Sequence, residues 1–296
     1  MRRICGRKAL VTGAASGIGR ALALRLAREG CHLYLLDVDL PHLAQTGAAA
    51  REYGVEVITA RCDLSRSDEI TACNAAILAH WGGLDILVSN AGVAYYGPTE
   101  NMTAQQWDWL LSINLLAPIQ FVRELLPVLQ SRPESHIVLM ASICGLVATS
   151  RLTAYNVSKF GLVGLGASLR AECGRQGVGV STVCPGFVST NIFDSAVCGH
   201  VGRRTPDPPR LLKTSPEHVA DRMIRAIYRD QRLVLITPLA RLLYQVHRLA
   251  PGLLDFLQRL GRRHCMAKKA LPETGDESES VVLPIPQSSD LYRRAA

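Results

Sequence analysis

A chain of 296 residues with 48% hydrophobic and 20% charged side chains can bury a sizeable core, and its composition excludes a disordered polymer. Its net charge of +8 is uneven, since residues 200–270 hold fifteen Lys and Arg against five Asp and Glu; with aromatics at 5% and no nucleic-acid motif nearby, this patch suits an anionic surface and nucleic acid is set aside. Nine cysteines, odd in number and without a Cys-x-x-Cys pair, fit neither a disulfide framework nor a zinc site; they point to a reducing, cytoplasmic compartment and to no metal.

Residues 1–8 are basic, but Lys8 interrupts any apolar stretch, so the chain is expected to open on its first strand rather than on a secretion signal. No uncharged apolar run is long enough to cross a bilayer. The first predicted strand is 9–11. It runs into Thr12-Gly13-Ala14-Ala15-Ser16-Gly17-Ile18-Gly19 and a helix over 18–29 that turns Leu22, Ala23 and Leu26 inward.

A strand over 32–36 ends at Asp37, and one over 55–60 closes on Asp63-Leu64. A strand over 84–88 leads into Ser89-Asn90-Ala91-Gly92, and a long helix containing Asn114 follows. The strand over 136–140 has Ser142 just past its end. Tyr155 and Lys159 open the next helix, and the strand over 178–183 is broken by Cys184-Pro185-Gly186.

This alternation predicts an α/β fold of three layers: a doubly wound parallel sheet of Rossmann type, in a single domain with a C-terminal helical extension. Ligands of such sheets bind at the carboxyl ends of the strands, where all of these polar residues fall.

Residues 187–213, rich in Gly, Pro and Arg and weak in periodicity, read as a loop over the substrate. Ser215 and Pro216 start another helix, and 233–236 is the last strand. The catalytic domain is thus 1–238, followed by a basic amphipathic helical extension at 239–270 and a disordered tail at 271–296.

In the extension, Leu239, Leu242, Leu243, Val246 and Leu249 share a face, as do Leu253, Leu254, Leu257 and Leu260 after Pro251-Gly252. Arg241, Arg248, Arg259, Arg262 and Arg263 lie opposite. Residues 239–263 therefore read as a cap or dimer contact, as helices lying on an anionic membrane surface, or as a contact for an acidic protein partner.

Three features carry chemistry. Gly13, Gly17 and Gly19 permit a tight turn and let a pyrophosphate approach the free N–H groups of a helix start. Tyr155 and Lys159, four apart on a helix, share one face, so the ammonium is expected to lower the pKa of the phenol and make it a usable acid or base. Asp37, at a strand end eighteen residues after Gly19, can bind both ribose hydroxyls of NAD and repel the 2′-phosphate of NADP.

In order along the chain, Thr12-Gly13 through Gly19, Asp63-Leu64, Asn90-Ala91-Gly92, Asn114, Ser142, Tyr155 with Lys159, and Pro185-Gly186 with Thr190 resemble the motifs of the short-chain dehydrogenase/reductase family, over about residues 6–240. The glycine spacing is that family's variant of the dinucleotide turn. Ser89 departs from it, because a second asparagine is usual there, and so does the extension past 240.

The resemblance implies a dinucleotide held by Thr12, Gly13, Ser16, Gly17, Ile18, Gly19, Asp37, Asp63, Leu64, Asn90, Ala91, Gly92, Tyr155, Lys159, Pro185, Gly186, Val188 and Thr190. It implies Tyr155 as general acid/base, Lys159 as its electrostatic partner and ribose ligand, and Ser142 as hydrogen-bond donor to the substrate oxygen. Asn114 would kink its helix and anchor a water that relays protons to Lys159. Ser16, where NADP users often have a basic residue, agrees with Asp37 in favouring NAD.

The expected activity is hydride transfer between NAD(H) and a secondary alcohol or ketone. The substrate would be lipophilic, of retinoid, steroid or fatty type, if the extension lies on a membrane. A homodimer or homotetramer is usual for this resemblance. An NADPH-dependent ketoacyl reductase and a non-catalytic nicotinamide sensor or scaffold are the alternatives; Asp37 opposes the first, and the presence of both Tyr155 and Lys159 opposes the second. Tyr95, Tyr96 and Cys144 are further candidates to touch substrate.

Overall fold

A computed structural model describes residues 1–190, 192, 196–198, 209 and 212–252. In chain order its elements are β1 (Lys8–Thr12), α1 (Gly17–Arg28), β2 (His32–Asp37), α2 (Leu40–Arg51), β3 (Val57–Arg61), α3 (Ser67–Trp81), β4 (Ile86–Ser89) and β5 (Tyr95–Tyr96). These are followed by α4 (Ala104–Leu111), α5 (Ala117–Gln130), β6 (Ser135–Met140), α6 (Thr153–Cys173), β7 (Val178–Cys184), β8 (Val197–Cys198), α7 (Pro216–Arg229), β9 (Leu233–Leu235) and α8 (Pro238–Leu249).

Seven strands form one parallel sheet in the order β3-β2-β1-β4-β6-β7-β9. The chain winds outward from β1 in one direction and from β4 in the other, so the strand order reverses between them. A crevice opens at their carboxyl ends. The expected Rossmann-type architecture is what the sheet shows.

Alternation along each strand divides the core between the two faces. Ala9, Val11, Leu33, Leu35, Ile86 and Val88 face α1 and α7, where Leu22, Leu26, Met223 and Ile227 cover them. Leu10, Leu36, Leu87, Ile137 and Leu139 face the other layer, under Ile77, Phe121, Leu125 and Leu169. Each such side chain, fully buried, contributes about 1.5–3 kcal/mol. The strands read as continuous apolar runs because both faces are covered.

At the amino-terminal edge of the sheet, Asp85 is gripped by Arg132 Nε at 2.9 Å, Arg7 Nη1 at 3.1 Å and the Lys8 backbone N–H at 2.9 Å. That edge is closed by ion pairing, which leaves the opposite edge for a site.

The structure adds to or departs from the expected elements in four places. β5 and β8 form a separate two-stranded parallel pair between the segment after β4 and the segment after β7. The long helix around Asn114 is α4 and α5 joined through a π turn, Ser112–Leu116. The run Ala104–Gln130 is apolar and long enough to cross a membrane by composition, yet Phe121, Val122, Leu125 and Leu129 pack in the core.

Finally, the apolar face expected for 239–249 splits. Ala240 is buried, and Leu239, Leu243 and Val246 are half-buried, but Leu242 and Leu249 are exposed, as Arg241 and Arg248 are. The expected loop 187–213 falls largely, and residues 253–296 wholly, outside the described residues, including Leu253, Leu254, Leu257, Leu260 and the arginines at 259, 262 and 263.

Candidate active site

The turn after β1 takes positive φ at Gly13 (67°) and Gly17 (52°), the left-handed region that favours glycine. A Cβ on Gly13 would sit 2.8 Å from Ala91 Cα, and one on Gly19 would sit 1.9 Å from the Gly13 carbonyl oxygen. Glycine therefore lets the turn lie against both the β4 turn and α1. Thr12 lies behind the cleft: its Oγ1 accepts from the backbone N–H groups of Asn90 (3.0 Å) and Ala91 (3.1 Å), while Asn90 Nδ2 donates to the carbonyls of Thr12 (3.0 Å) and Gly13 (3.2 Å).

Helices α2, α4, α7 and α8 each have a cap side chain accepting a first-turn N–H, from Asp39, Thr103, Ser215 and Thr237. Helix α1, like α5 and α6, has neither a side-chain cap bond nor an acid in its first turn; what sets it apart is that its start, Ser16 and Gly17, lines a cleft, where free N–H groups favour an anion.

A cleft of about 270 Å³ runs from this turn along the carboxyl ends of β1, β2, β4, β6 and β7. Gly13, Ser16, Gly17, Ile18, Asp37, Asp63, Leu64, Asn90, Ala91, Gly92, Ser142, Tyr155, Lys159, Pro185, Gly186, Val188 and Thr190 line it. Of the residues singled out from sequence, Thr12, Gly19, Asn114, Tyr95 and Tyr96 do not; the first three support neighbours that do, and Tyr95 is buried in a separate cluster with Met102, Leu110 and Ala154.

Asp37 Oδ2 accepts from Ala15 N–H at 2.9 Å, and Oδ1 accepts from Val38 and Asp39 N–H at 2.8 and 3.1 Å. Burial raises its pKa, and these three amides offset only part of that. Asp63 Oδ1 accepts from the N–H and hydroxyl of Ser65, fixing the turn that presents Leu64.

At the other end, Ser142 follows β6 and Tyr155 and Lys159 project from the first turns of α6. The Ser142 and Tyr155 hydroxyls are hydrogen-bonded, and Ser142 Oγ accepts from Cys144 N–H at 3.1 Å. Lys159 Nζ donates to the Met140 carbonyl at 2.8 Å and lies 5.5 Å from the Tyr155 ring centroid. Phenol, hydroxyl and ammonium therefore converge.

The expected lowering of the Tyr155 pKa is corrected by the structure. Burial raises it, and the hydrogen bond from Ser142 acts in the opposite direction without overcoming burial. Burial also brings Lys159 down to about 8.

Asn114 is fully buried at the π turn. Its Oδ1 accepts from Val93 N–H and its Nδ2 donates to the Val93 carbonyl, both at 2.8 Å, with a further bond to Ser158 Oγ at 3.2 Å. It thus pins the chain after β4 to the start of α6. Ser89 Oγ, at the position where the motif departs from the usual asparagine, is buried and without a partner among the described residues.

Sequence reasoning missed Val38, Asp39 and His42 at the Asp37 end of the cleft, where His42 Nδ1 lies 2.7 Å from Asp39 Oδ2. The Asp39 cap before Pro41 was the available signal. It also missed the apolar cluster packed around Tyr155, in which Ala94, Leu152 and Cys144 are buried and Tyr96, Ile143, Ile192 and Ala196 pack against them. Of these, Cys144 and Tyr96 were candidates; the others carry no motif.

The model of the family described as short chain dehydrogenase matches residues 7–198. A D-beta-hydroxybutyrate dehydrogenase of Rhizobium meliloti is 29% identical over 239 residues, 80% of this chain and 89% of that protein. The crystal structure of a short chain dehydrogenase/reductase from Burkholderia phymatum in complex with NAD superposes with a TM-score of 0.71 at 30% identity, over 94% of this chain and 100% of the other. A metagenomic short-chain oxidoreductase in complex with NADP gives a TM-score of 0.66 at 32% identity, over 78% and 97%.

Proposed function

The chain belongs to the short-chain dehydrogenase family and is an oxidoreductase, and from that premise we propose that it transfers hydride between NAD(H) and a lipophilic secondary alcohol or ketone. The observation that carries this reading is the meeting of the Tyr155 phenol, the Ser142 hydroxyl and the Lys159 ammonium at one end of a cleft whose other end is the glycine turn and Asp37.

The residues present fit a dinucleotide. The uncapped start of α1 suits its pyrophosphate, Asp37 its adenosine ribose, Leu64 with Asp63 its adenine, and Lys159 with Asn90, Pro185, Gly186, Val188 and Thr190 its nicotinamide half. The related structures hold NAD in one case and NADP in the other. Asp37 and Asp39 favour NAD here, because a 2′-phosphate would meet carboxylates and, among the described residues, no Lys or Arg lines that end. The same argument weighs against the NADPH ketoacyl-type reductase.

The bound nucleotide supplies the hydride acceptor or, in the reverse direction, the donor at its nicotinamide ring. Tyr155 takes the alcohol proton at its phenolic oxygen during oxidation and returns it during reduction. Ser142 donates to the substrate oxygen and stabilises the charge that develops there. Lys159, cationic below about pH 8, supports the phenolate state against burial. Asn114 holds Val93 and α6 in register behind them, and its helix turn is suited to carry the water that links Lys159 to solvent.

Ala94, Ile143, Cys144 and Ile192, which line the cleft beside Tyr155, support an apolar substrate. Exposed Leu116, Ile119, Val157 and Phe160, on the π turn, α5 and α6, support self-association as a homodimer or homotetramer. Cys5, Cys31, Cys62, Cys73, Cys144, Cys173 and Cys184 are free thiols, which supports a reducing, cytoplasmic setting. Residues 187–213 are proposed to cover the substrate.

The test is Tyr155→Phe assayed with NAD and a panel of apolar secondary alcohols. Turnover is expected to vanish while NAD still quenches or enhances fluorescence as in the parent. Turnover retained in the variant overturns the assignment.

A further inference from the structure

Hydride transfer leaves one surface of the molecule without a role. Arg222, Arg225 and Arg229 on α7 stand near Arg241 on α8; partial burial and then the charges of Arg241, Arg225 and Arg229 all disfavour the Arg222 cation. Among the described residues, neither these arginines nor Arg248 form an ion pair. Arg241 Nε donates to the Leu235 carbonyl at 3.2 Å, which fixes the side chain but leaves its charge uncompensated.

Acids nearby are already engaged. Asp221 pairs with Arg25 and Asp230 with Arg170, while Glu29 is held by Arg25 and by the Tyr228 hydroxyl. Glu217 sits at the far, amino-terminal end of α7. Among the described residues these guanidinium groups have no counter-ion; packing several together in that way is unfavourable, and an anionic partner relieves it.

Two leucines of α8 are exposed beside these arginines in sequence. Leu242 is 60% exposed and Leu249 is 80% exposed; they are seven residues apart and each directly follows an arginine. A seven-residue spacing returns a side chain to nearly the same side of a helix. Elsewhere on α8 Ala240 is buried and Leu243, Tyr244 and Val246 are half-buried.

We propose that the α7–α8 face binds the anionic surface of a lipid bilayer, with the arginines among the headgroups and Leu242 and Leu249 in the acyl boundary. Charge complementarity identifies an anion, and the leucines select among anions. A rod-like polyanion such as nucleic acid would satisfy the guanidinium groups yet leave both leucines in water, whereas an interface takes both kinds of side chain. This inference stands apart from the catalytic reading, because none of these residues lines the cleft.

The test is co-sedimentation of the full chain with vesicles of phosphatidylcholine alone and of phosphatidylcholine with phosphatidylglycerol, at low and high salt. Binding is expected to the second only, and salt releases it. Arg241→Glu with Arg248→Glu is expected to weaken partitioning roughly tenfold or more. Leu242→Ser with Leu249→Ser is expected to weaken it several-fold, with circular dichroism unchanged in both pairs.

Absence of wild-type binding to anionic vesicles at low salt overturns the proposal. So does binding of both pairs at the wild-type level, which would put the contact elsewhere, for instance within residues 253–296. Equal affinity for duplex DNA and anionic vesicles, unaffected by the leucine pair, would overturn it in favour of a general polyanion surface.

Discussion

Asp85 and Asp37 flank β1 at opposite edges of one sheet, and their electrostatics are opposite. Burial works against the Asp85 carboxylate, but the hydrogen bond from Arg132, the Lys8 amide and the charges of Arg132 and Arg7 hold its pKa below the ordinary value. Burial also works against Asp37, and there only backbone amides answer it, so its pKa is raised. The amino-terminal edge neutralises its buried charge within the chain. The carboxyl-terminal edge leaves Asp37 and Lys159 displaced from their ordinary values, as a site that completes its electrostatics with a ligand would.

Exchanging charges between these two edges gives a dissociation of activity from stability. The largest effect is expected from Lys159→Met, which should lower kcat/KM about 10²- to 10⁴-fold. Because it removes a buried cation, its melting temperature should equal or exceed that of the parent. A large stability loss with activity per folded molecule intact would break the contrast.

Asp85→Ala is expected to do the reverse. Removing the shared partner of Arg7 and Arg132 should cost about 3 kcal/mol in urea unfolding, with turnover per folded molecule unchanged. Next in size, Asp37→Asn should weaken NAD roughly ten- to hundredfold and narrow the proposed preference over NADP. The sign of its stability effect follows from the raised pKa: the ionised form is disfavoured by folding above the unfolded pKa, so the neutral amide should not lower unfolding free energy at pH 7. Fluorescence titration and urea curves of the same sample check both halves.

The smallest effect is a pH slope. Lys159 is protonated below about 8 and neutral above it, whereas Tyr155 stays a phenol through that range because its pKa is raised. Ketone reduction should therefore have a level kcat/KM below about pH 8, falling by up to about tenfold per unit above it. A flat profile from pH 6 to 10 would remove Lys159 from the titrating role.

Much of this arrangement is legible in the chain. Alternation located the seven sheet strands to within two residues or so, because each is buried on both faces and reads as a continuous apolar run. The turns that follow them, Gly13–Gly19, Asn90–Gly92 and Pro185–Gly186, signal themselves through residue types that few other conformations demand.

What was not legible depends on tertiary placement. The Tyr155–Lys159 spacing gives a shared helix face but not the burial that sets the direction of either pKa. β5 and β8 are too short to carry a period and pair across a hundred residues. Leu242 and Leu249 have helical spacing like Leu239 and Leu243, and only the position of β9 decides which of them is covered.

The widened turn at Ser112–Leu116 has a consequence for how this molecule tolerates change. A π turn takes up one residue more than the α-helical repeat. Deleting a single residue there should let the helix regularise, with the Phe121, Leu125 and Leu129 side of α5 kept against the sheet. The same deletion would withdraw the amide side chain that clasps Val93. The extra residue is thus a graft onto a helix that does not need it for folding, and its excision should yield a compact protein with a disarmed centre.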